Sequence, residues 1–166
     1  MTSADLTIVV PTADAMRELG AAIGRACAGG DVLILSGDLG AGKTTFTQGL
    51  ARGIGIDEAV TSPTFVIARA HPNPHGGPGL VHVDAYRLGS SLELDDLDLD
   101  ADLEHSVVVV EWGGGLAEGL ADARVDLVLS RSDDEDDETR VVVITPRGSR
   151  WDGVLRSADL TIGADG

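Results

Sequence analysis

The chain is poor in what nucleic acids and membranes need from a protein. Only 12 of its 166 residues are basic against 28 acidic, a formal charge of −16. A nucleic-acid backbone is bound through clustered Lys and Arg, so direct binding to tRNA or a duplex is disfavoured. No apolar stretch approaches the roughly 20 residues that cross a bilayer. The N-terminal MTSADLTIVV lacks a basic region followed by a cleavable apolar core, so no signal peptide is expected. The lone Cys27 cannot form an internal disulfide and suits a reducing cytoplasm, the expected location. No Cys/His cluster suggests zinc, and no serine sits in a nucleophile elbow. Lysine is the scarcest cation: Lys43 stands alone, and the other eleven basic residues are all arginine.

What is present is an α/β pattern of one domain's length, with 43% hydrophobic residues. LTIVV (6–10) reads as a strand, and Thr12 as the cap of a helix over 13–28 that Gly29-Gly30 ends. DVLILS (31–36) reads as a strand covered on both faces, and TTFTQGLARGIG as a helix stopped near Gly53 and Gly55. FVIARA and LVHVD form an antiparallel hairpin around a Pro/Gly-rich loop, inserted into an otherwise parallel arrangement. SVVVVE (106–111) is the most buried-looking strand, and VDLVLS and RVVVITP form a last hairpin before a short helix from Ser149. The expected fold is one α/β domain over 1–166, a mixed, mostly parallel sheet flanked by helices, with antiparallel hairpins.

Acidity is concentrated in two places. Asp133 to Glu138 is an unbroken run of six acids, read as a solvated loop between strands. Seven of the twelve residues from Glu93 to Glu104 are acidic, interleaved with leucines, a pattern with one side to dock and one to show a partner.

Residues 37–44, Gly-Asp-Leu-Gly-Ala-Gly-Lys-Thr, match the phosphate-binding pattern G-x-x-x-x-G-K-[ST] between a buried strand and a helix. Gly37, Asp38, Leu39, Gly40, Ala41 and Gly42 would turn backbone N–H groups around phosphate oxygens, and the following helix aims its positive end at the same anion. Lys43 would reach the β- and γ-phosphates, Thr44 would offer its hydroxyl to Mg²⁺, and Thr45 closes the stretch. A slim ammonium fits a phosphate cradle where the broad arginine fork does not, which accounts for the solitary lysine. Magnesium in such a site takes a carboxylate from the end of a neighbouring strand, and both Asp84 and Glu111 end apolar runs. Trp112 either stacks on a base or covers core; His82 packs or hydrogen-bonds rather than binding metal. Thr61, Ser62 and Thr64, around Pro63, could sense the γ-phosphate. A kinase of this class usually carries a substrate domain and an arginine-bearing lid, for which the chain has little spare length.

GDLGAGKTTF, SPTF, HVDAYRL and VEWG, in that order and near these spacings, resemble the TsaE (formerly YjeE) family, from Pro11 to about Pro146. The resemblance implies a P-loop fold and slow ATP hydrolysis. It implies action with the TsaD and TsaB subunits, which install threonylcarbamoyl on adenosine 37 of tRNAs decoding ANN codons, so that tRNA is met only indirectly. It carries phosphate binding to Lys43 and Mg²⁺ to Thr44 and Glu111. Asp84 matches the family's essential aspartate. Trp112 lies near the nucleotide, Thr61 to Thr64 match a switch segment, and Thr12 falls where the first helix begins, close to the adenine. Gly113-Gly114-Gly115 stand where many members carry an acid shortly after the tryptophan, so no such acid is assigned here. The alternatives are a small-molecule kinase and a non-hydrolysing, nucleotide-dependent binding subunit.

Overall fold

The computed structural model of the chain describes residues 5–37, 42–56, 68–84, 105–111, 123–134 and 136–151. Their elements run β1 (Leu6–Val10), α1 (Ala13–Ala26), β2 (Val32–Gly37), α2 (Lys43–Ile54), β3 (Ala68–His71), β4 (Gly79–Asp84), β5 (Ser106–Glu111), β6 (Arg124–Arg131) and β7 (Arg140–Arg147), followed by a 3-10 turn at Ser149–Trp151. The strands form one seven-stranded sheet in the order β1-β7-β6-β2-β5-β4-β3. β4, β5, β2 and β6 are mutually parallel. Antiparallel pairs flank them, β3 on β4 at one side and β6-β7-β1 at the other. The β3–β4 hairpin therefore sits at the sheet edge, where a short joint can join a parallel core without crossing it.

Alternation along the strands decides which face is covered. Val125, Leu127 and Leu129 of β6, Val142 and Ile144 of β7, Leu33 and Leu35 of β2, and Val107 and Val109 of β5 all join the core. They pack with Met16, Leu19 and Ile23 of α1 and with Phe46 and Leu50 of α2. Val32, Ile34, Val108 and Val110 point the other way and are also buried, which is why β2 and β5 read as continuous apolar runs.

The two helices press backbone to backbone. A Cβ on Gly20 would lie 2.2 Å from the Phe46 carbonyl oxygen, one on Gly24 2.4 Å from that of Leu50, one on Gly49 2.0 Å from that of Arg17 and one on Gly53 2.2 Å from that of Ala21. Each helix thus presents two glycines four residues apart on one face, with no room for any side chain. Gly53, expected to stop α2, is part of this crossing instead, and the helix ends at Gly55, whose φ is 108° and whose N–H donates to the Ala51 and Arg52 carbonyls. α1 ends earlier than its glycines suggest, at Cys27, whose N–H donates to Gly24. The expected C-terminal helix is seen only as the 3-10 turn, and residues 152–166 lie outside those described. Among the described residues no helix is long and apolar enough to cross a membrane.

Candidate functional site

The parallel registers bring three strand ends side by side. Glu111 pairs with Leu35 of β2 on one side and with Asp84 of β4 on the other. β2 ends two residues beyond Leu35 at Gly37, which lies close against β6, where a Cβ would stand 2.3 Å from the Leu129 carbonyl oxygen. Only glycine fits there, so the first residue of the loop motif is also demanded by the sheet.

α2 begins at Lys43 behind Gly42, which has φ 107° and gives no side-chain cap. Lys43 is 7% exposed, and its Nζ donates to the Gly37 carbonyl at 2.7 Å, spanning the mouth of the loop from helix to strand. Thr44 Oγ1 donates to Glu111 Oε1 in a long contact of 3.4 Å, joining residues 67 apart in sequence. His82 of β4, fully buried, puts Nε2 3.2 Å from the same oxygen, outside hydrogen-bonding geometry. Glu111 itself is 4% exposed. A hydroxyl and a buried carboxylate converging at the start of α2 are hard oxygen donors, of the kind that Mg²⁺ takes, generally few from protein and the rest from water. Among the described residues no three of His, Cys, Asp and Glu converge on one point.

On the other side of the α2 N-terminus a cleft of about 110 Å³ is lined by Thr12, Ala13 and Met16 of α1, by Gly42 and Thr45, and by Glu138 and Arg140. Thr12 is tied down there as the cap of α1, its Oγ1 accepting from Ala15 N–H at 3.1 Å. Neither Glu138 nor Arg140 belongs to the site expected from sequence. Chain order makes Glu138 the last member of a solvated acidic loop, and nothing in it signals that the β6–β7 connection returns to α1.

Of the expected site residues, Thr12, Gly37, Gly42, Lys43, Thr44, Thr45 and Glu111 gather around the start of α2. The backbone of Asp84 lies beside Glu111, but its side chain is outside the described residues. So are Asp38, Leu39, Gly40 and Ala41, the segment Thr61, Ser62 and Thr64, and Trp112. The acidic-leucine stretch from Glu93 to Glu104 is outside them as well.

A seven-stranded mixed sheet with a parallel centre, and a lysine-led helix separated by five residues from its central strand, define a mixed α/β protein. The chain belongs to the TsaE family: the family model described as "Threonylcarbamoyl adenosine biosynthesis protein TsaE" matches residues 10–142. The tRNA threonylcarbamoyladenosine biosynthesis protein TsaE of Streptomyces coelicolor is 55% identical over 138 residues, which span 82% of this chain and 93% of that one. The protein of the same name in Mycobacterium tuberculosis H37Rv is 48% identical over 132 residues, 75% of this chain and 79% of its own. That of Bacillus subtilis is 42% identical over 124 residues, 74% of each chain. The crystal structure of Bacillus subtilis YdiB superposes with a TM-score of 0.75 at 31% identity, covering 95% of both chains.

Proposed function

We propose that this chain is a Mg²⁺-dependent ATPase subunit of tRNA threonylcarbamoyladenosine synthesis, working on a TsaD–TsaB complex rather than on tRNA itself. The observation that carries the reading is the meeting of Thr44 and Glu111 beside Lys43, at the carboxyl ends of the buried parallel strands β2 and β5. Lys43 supplies a compact charge for the β- and γ-phosphates. The α2 N-terminus, with glycine rather than a side-chain cap before it, aims its positive end at the same anion. Thr44 and Glu111 hold Mg²⁺, which when bound neutralises phosphate charge and draws electron density from the γ-phosphoryl group. Asp84, next to Glu111 on β4, orients the attacking water or a water of the ion, and Thr61, Ser62 and Thr64 sense the γ-phosphate. The cleft beside Thr12 takes the base, with Trp112 close to the nucleotide.

The charge of −16 favours contact with basic patches on a protein partner and repels tRNA. The decisive experiment is phosphate release from ATP by the purified chain, alone and with TsaD–TsaB and tRNA. Slow release alone and faster release with the complex are expected, with negligible binding of free tRNA at physiological salt. Phosphate transfer to a small acceptor would make the protein a kinase. ATP held without release, even beside the partners, would make it a binding subunit only.

A further inference from the structure

We propose that His82 is the positioning residue of Glu111, its Nε2–H, already within 3.2 Å, turning to donate to Oε1 once the cation is bound, so that the carboxylate keeps the orientation in which it serves the cation with Thr44. The inference rests on the reading of Glu111 as the magnesium carboxylate. Leu80, two residues earlier on β4, belongs to the core, and an apolar residue at 82 would continue the row. An imidazole stands there instead, with no solvent exposure and neither ring nitrogen in a hydrogen bond of good geometry among the described residues. A buried imidazole in that state is destabilising relative to a hydrocarbon of its size, so the fold gains nothing from it.

What lies within its reach is the site. Nε2 is 3.2 Å from Glu111 Oε1, and the only other described group on that oxygen is the Thr44 hydroxyl at 3.4 Å. A carboxylate 4% exposed with two long contacts is under-held for a metal ligand, whose orientation generally comes from an outer hydrogen-bond donor. The β4–β5 register delivers that donor, because His82 lies opposite Val109, two residues before Glu111, on the strand that also carries Asp84.

The test is the affinity for a slowly hydrolysed ATP analogue with saturating Mg²⁺ and with EDTA, compared across two polar replacements. The amide nitrogen of Gln stands near the place of Nε2, and that of Asn near Nδ1. His82→Asn should lower the Mg²⁺-dependent gain in affinity about tenfold, leaving affinity in EDTA within about twofold of wild type. His82→Gln should recover most of the gain. In the Glu111→Gln background, His82→Asn should have no further effect on it. A merely structural histidine would lower the melting temperature in both variants and leave the Mg²⁺ gain untouched in both, which overturns the proposal. If Glu111→Gln removes the gain while His82→Asn does not, only the positioning role fails; if Glu111→Gln leaves it intact, the magnesium reading fails and takes this inference with it. Unmutated protein gives a check that needs no variant to fold. With Mg²⁺ and ADP, the imidazole ¹⁵N spectrum should show His82 protonated and hydrogen-bonded at Nε2, and a proton on Nδ1 alone contradicts the assignment.

Discussion

The two helices are neighbours of similar length, and their N-termini are finished in opposite ways. α1 is closed by its own chemistry: Thr12 caps Ala15, and Asp14 lies in the first turn, beside the positive end of the dipole. α2 has no side-chain cap, no acid in its first turn, and a lysine as its first residue. A cation at that end opposes the helix dipole, a cost to the free protein. Under the function proposed above, the second of these ends is the one that meets an anion. The difference also separates structure from function within one motif, since Gly37 is needed by the sheet whatever the loop binds.

The largest effect should come from removing the cation at α2. Lys43→Ala should weaken ATP binding or abolish hydrolysis, at a cost on the order of 2–4 kcal/mol. The stability of the nucleotide-free protein should move by no more than about 1 kcal/mol, because loss of the Lys43–Gly37 bond is offset by relief at the dipole. Calorimetric titration and urea unfolding of one preparation give both numbers. Lys43→Arg should be impaired too, and full activity in that variant would undo the account of the solitary lysine.

Next in size is the seam that holds the helices together. Gly49→Ala puts a methyl group where the Arg17 carbonyl oxygen already lies, 2.0 Å from the new Cβ. Separating the helices should cost about 1–3 kcal/mol in urea unfolding, with the helix propensity gained from alanine too small to compensate. Gly76, in the open turn between β3 and β4 where a Cβ meets nothing within 4 Å, makes a comparison free of crowding. Since Gly76 has φ 84°, its own alanine variant carries backbone strain alone. An unfolding midpoint for Gly49→Ala no lower than that of wild type would show that the crossing relaxes freely.

These predictions bear unequally on what the sequence disclosed. The strand–loop–helix unit was legible because its requirements are local: apolar residues before the loop, glycines in it, lysine and threonine after it. Strand identities were legible for the same reason, and so was the β6–β7 hairpin. The partner of Thr44 was legible only as a choice between Asp84 and Glu111, because which strand end faces α2 depends on registers among β2, β5 and β4. The role of Gly20, Gly24, Gly49 and Gly53 was not legible, since glycine in a helix signals a stop unless the partner helix is known. Glu138 and Arg140 were hidden for a related reason: a charged loop looks solvated until the chain returns it to a cleft.

A smaller effect tests the closed end of the comparison. Thr12→Ala removes the cap of α1 and should cost about 1 kcal/mol of stability. Thr12→Ser keeps the acceptor oxygen and should restore most of it. Because Thr12 also lines the cleft, the alanine variant reports separately on nucleotide affinity, which should fall less than in Lys43→Ala.

The smallest effect vanishes at neutral pH and concerns the far end of α1, where Cys27 takes the place that Gly55 holds in α2. Burial pushes the Cys27 thiol up from 9.0 to about 12, with the Asp31 carboxylate adding to the shift and Arg150 opposing it. Asp31 is fixed beside it, accepting from Ala28 N–H at 2.7 Å and from Arg150 at 3.0 Å. The folded state therefore keeps its proton where the unfolded chain releases it. The stabilisation is whole below pH 9 and is lost as pH climbs from 9 towards 12. Of the residue types whose ordinary values fall near this window the chain has one cysteine, one lysine and one tyrosine, so the cysteine's share is open to measurement. Urea unfolding followed from neutral pH to about pH 10.5 should fall more steeply for wild type than for Cys27→Ala. Parallel curves for the two proteins would mean that the thiol ionises as readily in the fold as outside it.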